Sequence, residues 1–167
     1  MTVPAGRPAE KPTGTRVTAP LEGTLTALTE VPDPVFAGQL VGAGVAVEPP
    51  AGARVIDVVA PAAGTLAKLH PHAFVLLTED GTGILVHLGI DTVKLEGAGF
   101  TLHAVEGDRV AAGTLVVTFN PAAVRAQGLS ASCPVVVLDS RPDSVPAPTT
   151  GTEVLPGDLL FTWPPLE

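Results

Sequence analysis

The fold is decided by the stretch His72-Ala73-Phe74-Val75-Leu76-Leu77-Thr78-Glu79-Asp80-Gly81-Thr82-Gly83-Ile84-Leu85-Val86-His87-Leu88-Gly89-Ile90-Asp91-Thr92-Val93. Phe74, Leu76 and Thr78 alternate along one segment, and Ile84, Val86 and Leu88 along the next. Period-two alternation is the signature of strands that bury one face, and Asp-Gly between two such runs signals a hairpin. The expected turn is Glu79–Gly83, joining two antiparallel strands. A histidine sits near the outer end of each strand, away from the turn. Paired antiparallel side chains lie about 5 Å apart and diagonal neighbours about 7–8 Å apart, so His72 and His87 are expected to meet in space. Two neighbouring imidazoles on an apolar sheet need polar partners, which marks them as candidate functional groups.

Outward from this hairpin the chain repeats itself. Ala19-Pro20-Leu21-Glu22-Gly23-Thr24-Leu25-Thr26-Ala27-Leu28 echoes Ala60-Pro61-Ala62-Ala63-Gly64-Thr65-Leu66-Ala67-Lys68-Leu69. Each is a Pro/Gly turn feeding an alternating strand. Residues 106–117 and 154–161 share a turn-plus-strand pattern. The repeats are too dissimilar for a solenoid, and they suit a closed sandwich or barrel built from related hairpins. The single good helix candidate is Pro121–Gln127, with Asn120 as cap, Pro121 in the first turn and Gly128 as terminator. Pro142–Thr150 reads as a polar surface loop. Residues 1–15 read as a disordered tail, and residues 16–167 as one domain. The fold class expected is all-β: an antiparallel sandwich or barrel of short strands with few short helical turns.

Composition narrows the function. The chain has 167 residues, ample for one core, with 18 Gly and 18 Pro, which favour short strands joined by turns. No run approaches the roughly 18 apolar residues of a membrane helix, and no signal-peptide core is present, so a cytoplasmic protein is expected. The net charge of −8 argues against nucleic-acid binding and is compatible with a basic protein partner. Cys133 is the one cysteine and is expected to be a small buried residue.

The ordered set of motifs resembles the glucose-family enzyme IIA domain of the bacterial phosphoenolpyruvate-dependent sugar phosphotransferase system. The residues that carry this resemblance are His72-Ala73-Phe74, then Val86-His87-Leu88-Gly89-Ile90-Asp91-Thr92-Val93-Lys94-Leu95-Glu96-Gly97-Ala98-Gly99-Phe100. Upstream stand Val31-Pro32-Asp33-Pro34-Val35-Phe36-Ala37 and Val41–Val47, and downstream Glu106-Gly107-Asp108-Arg109-Val110 and Pro134–Val137. The resemblance covers roughly residues 16–163. It implies a phosphohistidine carrier in which His87 accepts a phosphoryl group and His72 stabilises it. The implied partners are the phosphocarrier HPr and an enzyme IIB domain of a sugar permease. Membrane contact comes only through that permease, the chain is expected to be a monomer, and no organic cofactor is expected. Glucose and N-acetylglucosamine are the leading family sugars.

The chemistry of the residues agrees with that implication. A neutral imidazole is nucleophilic, and its ordinary pKa of about 6.5 leaves it largely neutral near pH 7. One ring nitrogen takes the phosphoryl group while the other donates to a backbone acceptor, and a second imidazole can hydrogen-bond a phosphoryl oxygen. Phe36, Val45, Leu85 and Val93 are candidates for an apolar docking face around the histidines. Asp33 and Asp91 are candidate rim carboxylates that would attract arginines on a partner; Asp91 reads equally well as a turn residue. Gly89 is expected to let backbone approach the phosphate. Family members usually carry a longer linker before the first histidine, with a supporting Thr and an aromatic; here only His70 and Pro71 intervene, and His70 is the expected replacement contact. Three other readings compete. His70, His72 and His87 as zinc ligands would be separated by metal analysis. A lipoyl- or biotinyl-type carrier is disfavoured because the hairpin tip lacks lysine. A regulatory module of the same fold that carries no phosphate would be separated by a phosphotransfer assay.

Overall fold

A computed structural model describes residues 14–146 and 149–164. The described residues form strands β1 (Thr15–Thr18), β2 (Gly23–Ala27), β3 (Gly42–Glu48), β4 (Ile56–Val59), β5 (Gly64–His70), β6 (Ala73–Leu77), β7 (Gly83–His87), β8 (Phe100–Leu102), β9 (Arg109–Val110), β10 (Leu115–Phe119), β11 (Cys133–Leu138), β12 (Glu153–Val154) and β13 (Leu159–Trp163). Helices α1 (Pro34–Ala37) and α2 (Pro121–Ala126) and short 3₁₀ turns at Leu28–Glu30 and Thr92–Leu95 complete them. The larger sheet runs β12-β2-β3-β11-β7-β6-β5-β9, a smaller one β4-β10-β8, and β1 pairs with β13. All strand pairs are antiparallel, so the all-β class expected from alternation and Gly/Pro density is the class observed.

The larger sheet faces the smaller one across the main core. Phe74, Leu76, Ile84, Val86 and Leu88 from the hairpin meet Ile56, Val58, Val117 and Phe119 there, all essentially inaccessible to water. The register that puts them inside follows from Phe74 opposite Val86 and Leu76 opposite Ile84. It sends the intervening Val75, Leu85 and His87 to the other face of the sheet. The hairpin turn is tighter than Glu79–Gly83: the Thr78 N–H donates to the Thr82 carbonyl at 2.9 Å, and Gly81 takes φ +89°, which a Cβ would oppose.

The sequence echo is a structural pseudo-symmetry. The Ala19 N–H donates to Asp158 O and the Gly157 N–H to Ala19 O; Ala60 makes the same two bonds with Thr114 and Gly113. Thr18 N–H donates to Pro61 O while Val59 N–H donates to Pro20 O, so the two Ala-Pro turns exchange hydrogen bonds. Likewise Leu25 pairs with Gly151 and Thr152 as Leu66 does with Gly107 and Asp108.

The helix expected at Pro121–Gln127 forms as α2, with the Asn120 side chain accepting from the Ala123 N–H at 3.0 Å. Helix α1 is an addition. Its signal, Asp33-Pro34, is a cap followed by proline at the first helical position. Most of the expected N-terminal tail lies outside the described residues, as do Ala147 and Pro148 of the expected surface loop. Thr15, placed in the tail, is already the first residue of β1 and pairs with Trp163. Cys133 is buried as expected, and burial pushes its thiol far up in pKa. No helix of the described residues is long and apolar enough to cross a membrane.

Candidate functional site

The outer face of the larger sheet carries a second apolar cluster of Leu28, Val31, Phe36, Ala46, Ile90 and Val136, with Leu85 packed against it. His87 lies at the edge of this cluster. It ends β7 opposite Ala73, and its ring centroid is 5.2 Å from that of Phe36. His72 precedes β6 in a two-residue turn, since His70 pairs with Ala73. The Leu88 N–H donates to the His72 carbonyl at 2.7 Å, which zips the outer end of the hairpin closed. The two imidazoles stand edge to face with centroids 5.3 Å apart. The meeting expected from the hairpin therefore occurs.

His87 has a defined tautomer. Its Nδ1 lies 2.6 Å from the Gly89 carbonyl oxygen. A carbonyl can only accept, so Nδ1 carries the proton and the neutral ring keeps its lone pair on Nε2. Burial pushes the His87 pKa below the ordinary histidine value, against the opposing pull of the Gly89 carbonyl, Asp33 and Asp91. His72 is also pushed down, by burial first and then by His87 and His70. Both directions keep the pair neutral near pH 7, the state in which a ring nitrogen is a nucleophile.

Gly89 serves this arrangement from beneath. It is buried, at φ +80°, and a Cβ there would come within 2.6 Å of Thr92 Cγ2 and 3.0 Å of Ser130 O. The glycine is thus required by the turn that aims its carbonyl at His87.

The other candidates separate. Phe36 is only 8% exposed and is as much floor as surface. Leu85 is partly buried beside it, while Val93, in the turn that follows the histidine strand, is 60% exposed. Val45 does not belong to the docking face. It is 2% exposed, pairs with Val135 and sits in the main core. Ala46 takes the outward place instead, because Gly44-Val45-Ala46-Val47 is apolar on both faces and its parity is not readable from pattern alone. Asp33 is a helix cap: its carboxylate accepts from the Val35 N–H at 2.8 Å and the Phe36 N–H at 3.3 Å. Asp91 is exposed at φ 62° and makes no side-chain cap bond, so its carboxylate is presented outward. His70 stacks on His72 at 5.8 Å between centroids, 24° from parallel. Among the described residues no three His, Cys, Asp or Glu side chains are grouped to hold a metal ion. Sequence reading passed over Thr92, whose fully buried hydroxyl donates to Leu88 O at 2.7 Å; its signal was a polar residue between apolar ones directly after the histidine strand.

Comparison with known proteins gives four further findings. Residues 15–142 match the family described as phosphoenolpyruvate-dependent sugar phosphotransferase system, EIIA 1. The chain is 38% identical over 152 residues to a glucose-specific EIIA component from Halalkalibacterium halodurans, covering 90% of this chain and 86% of that one. It is 48% identical over 117 residues to a glucose-specific EIICBA component from Streptococcus pneumoniae; that match covers 69% of this chain and 16% of the component, so the chain spans only a small part of that relative. Among solved structures, glucose permease IIA from Mycoplasma capricolum superposes with a TM-score of 0.80 at 33% identity, over 90% of this chain and 96% of that one.

Proposed function

The chain belongs to the EIIA 1 family of the phosphoenolpyruvate-dependent sugar phosphotransferase system, and from that premise we propose that it is a cytoplasmic phosphohistidine carrier with His87 as the acceptor. The observation that carries this reading is the Nδ1 contact with the Gly89 carbonyl, which leaves the lone pair on Nε2 of a ring that stands beside His72. In the first step Nε2 attacks the phosphorus of the phosphohistidine on HPr. The new N–P bond forms as the old one breaks, and the departing imidazole keeps the electron pair. His72 then hydrogen-bonds a phosphoryl oxygen, stabilising charge in the transition state and the product. In the second step the His87 N–P bond breaks as an IIB nucleophile takes the group. A basic patch on either partner would meet Asp91, and an apolar one would meet Val93 and Leu85. The occurrence of a relative as one EIICBA component supports an IIB partner. The names of the relatives favour glucose as the sugar.

The test is phosphorylation with phosphoenolpyruvate, enzyme I, HPr and Mg²⁺. One acid-labile, base-stable phosphate is expected on His87, because protonating the ring makes imidazole a good leaving group. Labelling on His70 or His72 with His87 unmodified would reverse the roles. No labelling while HPr is demonstrably phosphorylated would leave a regulatory module of the same fold.

A further inference from the structure

The tautomer of His87 depends on a carbonyl that belongs to a turn, so whatever holds that turn takes part in the chemistry. Three backbone groups follow one another there. The Leu88 N–H is taken by His72 O, the Leu88 carbonyl accepts from Thr92 Oγ1 at 2.7 Å, and the Gly89 carbonyl faces His87 Nδ1 at 2.6 Å. The Ile90 N–H is held by Ser130 O at 2.9 Å. Thr92 grips the segment twice. Its hydroxyl fixes the Leu88 carbonyl, and its methyl occupies the space beside Gly89 into which a Cβ would project. The residue is completely buried, so its hydroxyl cannot turn to solvent for a partner. Gly89 and Asp91 on either side of Ile90 both lie in the left-handed region, at φ 80° and 62°; a non-glycine residue stays there only when its surroundings hold it.

We propose that Thr92 is a positioning residue for His87. By fixing the Leu88 carbonyl, its hydroxyl sets the peptide that aims the Gly89 carbonyl at Nδ1, and so keeps the lone pair on Nε2. This role rests on the reading of His87 as the acceptor. Threonine suits the place because valine would keep the shape without the donor, and serine would keep the donor without the methyl.

The experiment uses the full chain with ¹⁵N-labelled histidine. Long-range ¹H–¹⁵N spectra report the His87 tautomer, and phospho-HPr reports the rate of acceptance. The unsubstituted chain should show the Nδ1–H form alone. Thr92→Val should show both tautomers and accept phosphate roughly ten- to a hundredfold more slowly, the scale of a small misplacement of a reacting group. Thr92→Ser should return to the single tautomer. A folded Thr92→Val with an unchanged tautomer overturns the role, as does a Thr92→Ser chain with mixed tautomers. If the valine variant does not fold, Thr92→Ala decides by the same spectrum: mixed tautomers support the role and a single Nδ1–H form overturns it. The tautomer is read without any phosphotransfer. A chain that takes no phosphate therefore counts against the carrier reading alone, and a lost serine rescue counts against Thr92 alone.

Discussion

Two hairpins of this molecule begin alike and end differently. β2 and β5 each follow an Ala-Pro turn and make equivalent backbone bonds. β2 then reaches β3 through residues 28–41, which include a 3₁₀ turn and α1. β5 reaches β6 through Pro71 and His72 alone. The long connection lays Phe36 against His87 and the short one sets His72 beside it, at 5.2 and 5.3 Å between ring centroids. The repeat supplies the scaffold, and the site arises where the repeat is broken. The two connections also hold their residues by different means. Phe36 is pinned by a capped helix and an apolar floor. His72 is anchored through its carbonyl, which accepts from the Leu88 N–H, and leans on the exposed His70. In the carrier proposed above, the acceptor needs one fixed tautomer, whereas a donor to an arriving phosphoryl group gains from room to adjust.

Removing the meeting point should have the largest effect. His87→Ala should accept no phosphate from phospho-HPr while keeping its fold, read by intact-mass analysis and far-UV circular dichroism; a phosphorylated variant would mean that the connections converge on the wrong residue. Next comes the short connection. His72→Gln keeps a donor and should still be phosphorylated, but should pass the group to IIB roughly 30- to 1000-fold more slowly, the loss of about 2–4 kcal/mol of transition-state stabilisation. Equal slowing of both steps, measured by single-turnover transfer, would show that His72 helps binding as much as chemistry.

The long connection should respond through stability. Asp33→Ala removes the cap of α1 and should cost about 1 kcal/mol in denaturant unfolding. Partner transfer should weaken as Phe36 loosens. A variant of unchanged stability would show that Phe36 is held by its apolar floor alone.

The smallest effect is expected from pH. Both histidines are held below their ordinary value in the fold, so in the window between the folded pKa and about 6.5 the unfolded chain binds more protons. Stability should therefore be full above about pH 6.5 and fall as the pH drops through 6.5 toward the folded pKa. Phosphate acceptance should persist below pH 6.5, until the His87 lone pair is protonated. Ring-proton NMR titration checks both, and a His87 midpoint above 6.5 would contradict them.

Much of this is legible in the amino-acid sequence. Alternation in residues 74–78 and 84–88, with Asp80-Gly81 between, is enough to specify a hairpin, because inverting the faces would expose its core positions all at once. The hairpin alone brings His72 near His87. The Ala-Pro echo announced paired turns, and Asn120-Pro121 announced α2, since caps and prolines act within a few residues of themselves. Other features depended on the assembled fold. Gly44-Val45-Ala46-Val47 is apolar throughout, so only the pairing of β3 with β11 showed that Val45 faces inward and Ala46 forms the floor. Asp33 looked like a rim charge, and its cap bonds became visible with the geometry of α1. The choice of Nε2 on His87 and the grip of Thr92 on the turn depend on where two carbonyls point. Residue identity states which groups can donate or accept a proton; the direction of a carbonyl is set by chain segments packed together from distant parts of the sequence.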